Sequence, residues 1–231
     1  MNKIDCFLPC RSGSKRILNK NTRKIHNFNL GLFELKLSQL LRVKQIGNIY
    51  VSTDDIKIIN YLKKKNNDKI IIHKRLKKLS SSKTTTDQLI RHAYDITNSN
   101  HLLWTHVTSP FFSSKLYQDA IIKYFYFKKI NKYDSLMSVY PIKNFLWSKN
   151  KPLNYKNTKI KWPFTQDIEK VFEITSSIFI SSRDNYNKYK DRIGIKPYFY
   201  ELDKITSVDI DWKDDFNFAE KILSANPKKY I

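Results

Sequence analysis

The sequence predicts an α/β fold in which a mostly parallel sheet carries helices on both faces. Two observations carry that expectation. Short apolar runs of strand length alternate with segments whose apolar residues recur at helical spacing, and polar loops punctuated by Gly, Pro, Ser and Asn separate the two kinds of segment. In a sheet of this kind ligands bind beyond the carboxyl ends of the strands.

The first strand is the apolar run from Ile4 to Cys10, which stops at a strongly basic loop, Arg11 to Asn21. Leu30, Phe33, Leu37, Leu40, Leu41 and Val43 recur at close to helical spacing, so a helix over about 30–45 packs one face on the sheet. Gly47 breaks that helix, and Asn48–Ser52 forms a second strand. Thr53, Asp54 and Asp55 open a second helix that turns Ile58, Ile59 and Leu62 inward, and Ile70–Ile72 is the third strand. After the polar run LSSSKTTTD, residues Leu89, Ile90, Ala93, Tyr94 and Ile96 mark a helix. His101–Val107 then reads as a strand that Thr108-Ser109-Pro110 ends. A helix rich in Tyr and Phe spans Leu116–Ile130, followed by a strand over Ser135–Tyr140.

From about 141 to 171 the rhythm breaks, with Pro141, Pro152 and Pro163 and the tryptophans Trp147 and Trp162. Phe172–Ile180 returns to strand character, and a helix begins at Asp214, for which Asp214 is the expected N-cap. There is no internal repeat. The expected organisation is one domain over 1–231 with an inserted arm or dimerisation lobe at 141–180. An exposed apolar arm of this size marks an interface, so a homodimer is expected; the plainer alternative is a lobe folded on its own sheet.

At 231 residues, 41% of them hydrophobic, the chain can bury a core without cross-links. A mean hydropathy of -0.55 excludes an integral membrane protein, and the apolar content excludes intrinsic disorder. No run approaches about 18 uncharged apolar residues, and the amino terminus has no signal-peptide core, so the expected location is cytoplasmic, without membrane attachment. Cys6 and Cys10 share one face of an extended strand and read as reduced core residues. The formal net charge of +22 suits a polyanion or a small phosphorylated substrate. Because the lysines also crowd ordinary amphipathic helices, a solvated basic surface is favoured over a nucleic-acid site.

Two clusters carry chemistry. The loop RSGSKRILNKN follows the first strand, where an α/β sheet binds phosphate: backbone N–H groups around Gly13 can cradle the anion while Arg11, Lys15 and Lys20 neutralise it. It fits neither GxxxxGK(S/T) nor GxGxxG, and taken alone a basic surface turn is the plainer reading. In SVDIDWKDDF, an extended backbone projects Asp209 and Asp211 from one face as paired hard oxygen ligands for Mg2+. Asp214 and Asp215 read as cap residues of the following helix.

The blocks LPCRSGSKRILNKN, VSTDD, LSSSKTTTD, HVTSPF, TQDIEKVFEI and SVDIDWKDDFNFAE stand in the order seen in the acylneuraminate cytidylyltransferase family, and together they span nearly the whole chain. The chain resembles that family. The resemblance implies a Rossmann-like nucleotidyltransferase sandwich of three layers with a small dimerisation arm. It implies activation of an acidic nonulosonic sugar with CTP and Mg2+, giving a CMP-sugar and pyrophosphate, for surface glycoconjugates such as lipopolysaccharide or capsule. It also implies a homodimer whose arm reaches over the partner's site.

Carried over by position, Arg11, Ser12, Gly13, Ser14, Lys15, Asn19, Lys20 and Asn21 match the CTP-binding loop, with Lys20 on the α-phosphate and Arg11, Lys15, Lys20 and Asp211 in catalysis. Arg75, Ser81 and Ser82 resemble the segment that holds cytosine and ribose, and Asp209 and Asp211 match the metal ligands. His106, Thr108, Ser109 and Gln166 match the sugar end. The chain departs from the family pattern at Leu18, at Arg16, at Ser176-Ser177 and at His106, where many members have glutamine; His106 reads equally as a strand-end histidine. Two other functions are weighed: a Kdo-type CMP-sugar synthetase, against which RSGSK argues, and a non-catalytic nucleotide- or nucleic-acid-binding relative, against which the retained Asp209, Asp211, Arg11 and Lys20 argue.

Overall fold

The computed structural model describes residues 3–81, 83–156 and 161–230. Its elements run β1 (Ile4–Pro9), α1 (Gly31–Leu41), β2 (Ile46–Thr53), α2 (Ile56–Lys65), β3 (Ile70–Lys74), α3 (Thr86–Ile96), β4 (His101–Trp104) and α4 (Ser114–Lys129). The second half adds β5 (Ser135–Ile142), β6 (Val171–Ser182), α5 (Arg183–Tyr189), β7 (Pro197–Glu201) and α6 (Lys213–Ala225).

These strands form a seven-stranded sheet in the order β3-β2-β1-β4-β6-β5-β7. The pairs β1–β2, β2–β3, β1–β4 and β5–β7 are parallel, whereas β6 runs antiparallel to both β4 and β5. The α/β class with a mostly parallel sheet is therefore observed. Alternation along β1 explains the layers. Ile4, Cys6 and Leu8 face a core shared with α1, α2, α4 and α6, while Phe7 faces the opposite cluster with Trp104, Phe179, Ile90 and Ala93 of α3 and Tyr186 of α5. Both cysteines are buried and free.

Several boundaries differ from the sequence reading. Gly47 lies inside β2 and does not end a helix; α1 already stops at Leu41. The strand expected to reach Val107 ends at Trp104, which releases His106 and Val107 to the loop at the strand's carboxyl end. Helix α6 begins one residue early, capped at Trp212. Asp215, not Asp214, accepts the backbone N–H groups of Asp211 and Trp212 at 3.0 and 2.7 Å. Asp55 does cap α2, accepting from the Lys57 N–H. The sequence reading missed α5 and β7.

Within 141–180, β5 and β6 form a long antiparallel pair in which Ile142 faces Val171. Its register jumps between Met137 and Val139, because residues Thr175 to Ser177 of β6 bulge out. Ser138 stitches that bulge: its hydroxyl receives the Thr175 hydroxyl at 2.6 Å and the Ile178 N–H at 3.0 Å.

Candidate active site

The basic loop is folded by three local devices. Asp54, at the end of β2, accepts both the Ser12 N–H and the Ser12 hydroxyl at 2.8 Å, pinning the start of the loop. Gly13 adopts φ +72°, a left-handed turn that suits glycine, and Asn19 takes a similar conformation at φ 54°. Asn21 closes the base by donating to the Arg11 carbonyl at 2.9 Å, and buried Ile17 anchors the middle. Between these anchors the cations are left at the surface of a cleft of about 510 Å³ beyond the carboxyl ends of β1 and β4.

Arg11, Ser14, Lys15, Lys20 and Asn21 line that cleft on the loop side. Asp209 and Asp211 line it opposite, with Ile210 buried between them. Lys20 joins the two sides: its ammonium donates to the Ile210 carbonyl at 2.6 Å and lies 3.2 Å from the Asp211 carboxylate. Arg16 pairs with the same carboxylate at 2.6 Å and covers the Trp212 ring. Oδ1 of Asp209 is buried and has no hydrogen-bond partner among the described residues. Buried carboxylate oxygens are seldom left so. A divalent cation taking one or two carboxylates and completing its shell with phosphate and water fits that donor set.

Arg75 lines a third side. Its guanidinium is buried and donates to the Ser52 carbonyl at 2.6 Å and the Ser52 hydroxyl at 3.1 Å. That hydroxyl also meets His92 Nε2 at 2.9 Å, and burial pushes the His92 imidazolium down to about 4.

The far wall is made by His106, Val107, Thr108 and Ser176, the last delivered by the β6 bulge. A buried network backs it. Lys36 of α1 is fully buried and donates to the Ser109 carbonyl at 2.8 Å and the Tyr117 hydroxyl at 2.9 Å. The Tyr117 and Thr105 hydroxyls are 2.5 Å apart, and Thr105 donates to the Ser177 carbonyl at 2.7 Å. Burial lowers the Lys36 pKa to about 7. The Ile210 N–H donates to the Thr108 carbonyl at 2.8 Å, tying this wall to the carboxylate side.

The remaining site expectations need correction or fall elsewhere. Ser12 faces Asp54 and does not line the cleft. Gly13 and Asn19 shape the loop without lining the cleft. Ser109 is fully buried, since its carbonyl is held by Lys36, so its side chain faces the interior. Ser81 is exposed on a turn and bonds Thr84, away from the cleft. Ser82 lies outside the described residues. Gln166 sits exposed on the short turn Thr165–Asp167 of the arm and is not among the residues that line the cleft. Sequence reasoning missed Lys36, Trp104 and Arg192, because each reaches the site through the fold and none belongs to a charged block; Ser176 stood out only as a departure from the family pattern. Asp54 was visible in VSTDD but read only as a helix opener.

A polar cleft at the strand ends of a mostly parallel sheet is the arrangement of a Rossmann-like α/β fold. More particularly, the chain belongs to the cytidylyltransferase family, whose description matches residues 6–229. Among similar proteins is the post-translational flagellin modification protein B of Campylobacter coli, 26% identical over 233 residues and covered to 96% on both chains. The N-acylneuraminate cytidylyltransferase of Escherichia coli is 25% identical over 240 residues; these take in 99% of this chain and 54% of that protein, so the chain spans about half its length. The pseudaminic acid cytidylyltransferase of Campylobacter jejuni is 23% identical over 229 residues, 96% of each chain. Among solved structures, a CMP:2-keto-3-deoxy-manno-octonic acid synthetase complexed with CTP shares the fold with a TM-score of 0.66 at 14% identity, covering 97% of this chain and 99% of that one.

Proposed function

We propose that this chain transfers CMP from CTP to an acidic nonulosonic sugar, releasing pyrophosphate, in the cytoplasmic supply of a surface glycoconjugate. The observation that carries this reading is the meeting in one cleft of the cations Arg11, Lys15 and Lys20 with the carboxylates Asp209 and Asp211, in a chain of the cytidylyltransferase family.

The anomeric hydroxyl oxygen of the sugar attacks the α-phosphorus of CTP, the bond to the β-phosphate oxygen breaks, pyrophosphate leaves and the hydroxyl loses its proton. Positioning and charge neutralisation dominate such a step. Lys20, held on the Ile210 carbonyl, places its ammonium against the α-phosphate; Arg11 and Lys15 neutralise the outer phosphates. Arg75, fixed on Ser52, faces the nucleoside. His106 and Thr108 receive the sugar. Asp209 and Asp211 would hold Mg2+, which supplies neutralisation of the phosphate oxygens when bound.

The whole chain acts as one domain, and the arm at 141–180 makes a homodimer. The arm supports this by exposing Trp147, Trp162, Phe164 and Ile174, with Phe164 73% exposed. On this reading Gln166, on the same arm and outside the lining of its own cleft, contacts the sugar in the partner's site. Light scattering at micromolar concentration tests the dimer, a monomer overturning it. No helix among the described residues is long and apolar enough to cross a membrane.

The decisive test is pyrophosphate release with Mg2+ and each of CTP, UTP, ATP and GTP against sialic, legionaminic and pseudaminic acids and Kdo. Release with CTP and one nonulosonic acid, lost with chelator, is the expected result. Release with Kdo alone moves the substrate to the octulosonate class, and no nucleotide preference with steeply salt-sensitive polyanion binding overturns the enzyme reading.

A further inference from the structure

The wall around His106 contains a constraint that deepens the cytidylyltransferase reading and rests on it. Trp104 is fully buried, and its indole Nε1 lies 2.7 Å from His106 Nε2. An indole nitrogen only donates, so His106 Nε2 is the unprotonated nitrogen. Arg192 Nη1 approaches the same nitrogen at 3.4 Å and is also a pure donor. The Arg192 guanidinium is held there by stacking 3.8 Å over Phe179 and 5.0 Å over Trp104. The loop that carries it is clamped as well. Asp134 accepts the Ile195 and Lys196 N–H groups at 2.8 and 3.1 Å, and Gly194 donates to Ser135.

With both donors on Nε2, the ring proton sits on Nδ1, which no hydrogen bond among the described residues engages, and the ring lines the cleft. Burial and the charges of Arg192, Lys20, Lys36 and Arg75 hold the imidazolium down to about 3.

We propose that Trp104 and Arg192 are positioning residues that fix His106 as a neutral, single-tautomer ring whose Nδ1–H is a donor-only reader of an oxygen acceptor on the sugar. An amide side chain at this place could turn and offer either a donor or an acceptor. A locked imidazole offers only the donor, so the sugar is chosen by a lone pair, on a carboxylate or an acyl carbonyl. A sugar with a protonated amine at that point is rejected, because the two donors face each other.

The test joins a spectroscopic and a kinetic readout on the full chain. Imidazole 15N–1H spectra assigned by His106→Gln should show a pyridine-type Nε2 and a pyrrole-type Nδ1 that do not titrate between about pH 5 and pH 8. The Nδ1 proton should shift when the best-turned-over acid of the sialic, legionaminic and pseudaminic set is added. Its decarboxylated and de-N-acylated analogues distinguish the two acceptors, since only the loss of the contacted oxygen abolishes the shift. Trp104→Phe should loosen the tautomer and raise the sugar KM about tenfold, by a larger factor than it changes the CTP KM. His106→Ala, on the cleft wall, should raise the sugar KM by a similar factor if Trp104→Phe fails to fold. A proton on Nε2, a ring that titrates near its ordinary value, or an unchanged sugar KM in a His106→Ala enzyme that still turns over would overturn the proposal. Failure of the wild type to release pyrophosphate with every sugar sinks the underlying reading and the sugar role with it. The spectra then show separately whether the lock itself exists.

Discussion

The two sides of the cleft are held by different physics. On the loop side, charges meet across the opening: half-exposed Arg16 and largely buried Lys20 share the Asp211 carboxylate, whose side chain is 46% exposed. On the His106 side, the wall is fixed by buried hydrogen bonds that run from Lys36 through Tyr117 and Thr105 to the Ser177 carbonyl. Exposed ion pairs contribute little to stability and exchange partners readily, whereas a buried network is costly to leave half-satisfied. The first side is therefore suited to receiving a charged triphosphate and letting a diphosphate go. The second is suited to holding its shape.

The largest single effect on turnover is expected from the loop side. Asp211→Ala should lower kcat by roughly 10²–10³-fold, the size seen when one stabilising group of a charged transition state is lost. Its unfolding free energy, measured in urea, should move by less than about 1 kcal/mol. An unaltered kcat would break the comparison at its first term.

Tyr117→Phe tests the other side. It strips the hydroxyl that Lys36 and Thr105 share and should cost about 1–3 kcal/mol of stability by urea unfolding, with the sugar KM rising more than the CTP KM. A neutral result would mean the wall is held by packing alone.

A smaller effect is the pH dependence that Lys36 imposes. Its folded pKa, lowered by burial to about 7, lies below its ordinary 10.5, so between these values the unfolded chain binds more protons and stability rises with pH. That contribution is lost as pH falls through the folded value. Lys36→Met should flatten the rise between about pH 7 and pH 8.5, and an undiminished slope would assign it to other groups. Smallest of all is Arg16→Gly, which removes an exposed pair and should change stability by no more than about 1 kcal/mol while lowering the Mg2+ concentration for half-maximal turnover. A higher Mg2+ requirement would show that Arg16 assists the carboxylate.

The same contrast explains what was legible in the sequence. The alternation of strands and helices, the loop Arg11–Asn21 and the pair Asp209 and Asp211 are local patterns, and contiguous residues determine them. The capping read for Asp214 and Asp215 falls to Asp215 alone, because the N-cap is Trp212 and Asp215 at the third helical position reaches back to its N–H, a placement that periodicity does not resolve. The far wall was largely illegible. Trp104 read as a core strand residue, Lys36 as one lysine among many, and Arg192 lay in a stretch with no assigned element. They converge only because β6 inserts antiparallel between β4 and β5 and because three residues bulge from it. Ser109 illustrates the converse: its block pointed to the cleft, but the carbonyl bond to Lys36 turns its side chain inward.

Gly194 shows where altered substrate choice could arise without touching the cleft. A methyl group built there would clash with the Asp134 carboxylate, which already anchors two backbone N–H groups. A side chain at this position must displace either that carboxylate with its anchors or the loop, and Arg192 lies two residues away on the same loop. Random mutagenesis selected on a new sugar would then return changes at Gly194 and Asp134, residues that no inspection of the ligand-facing surface would nominate.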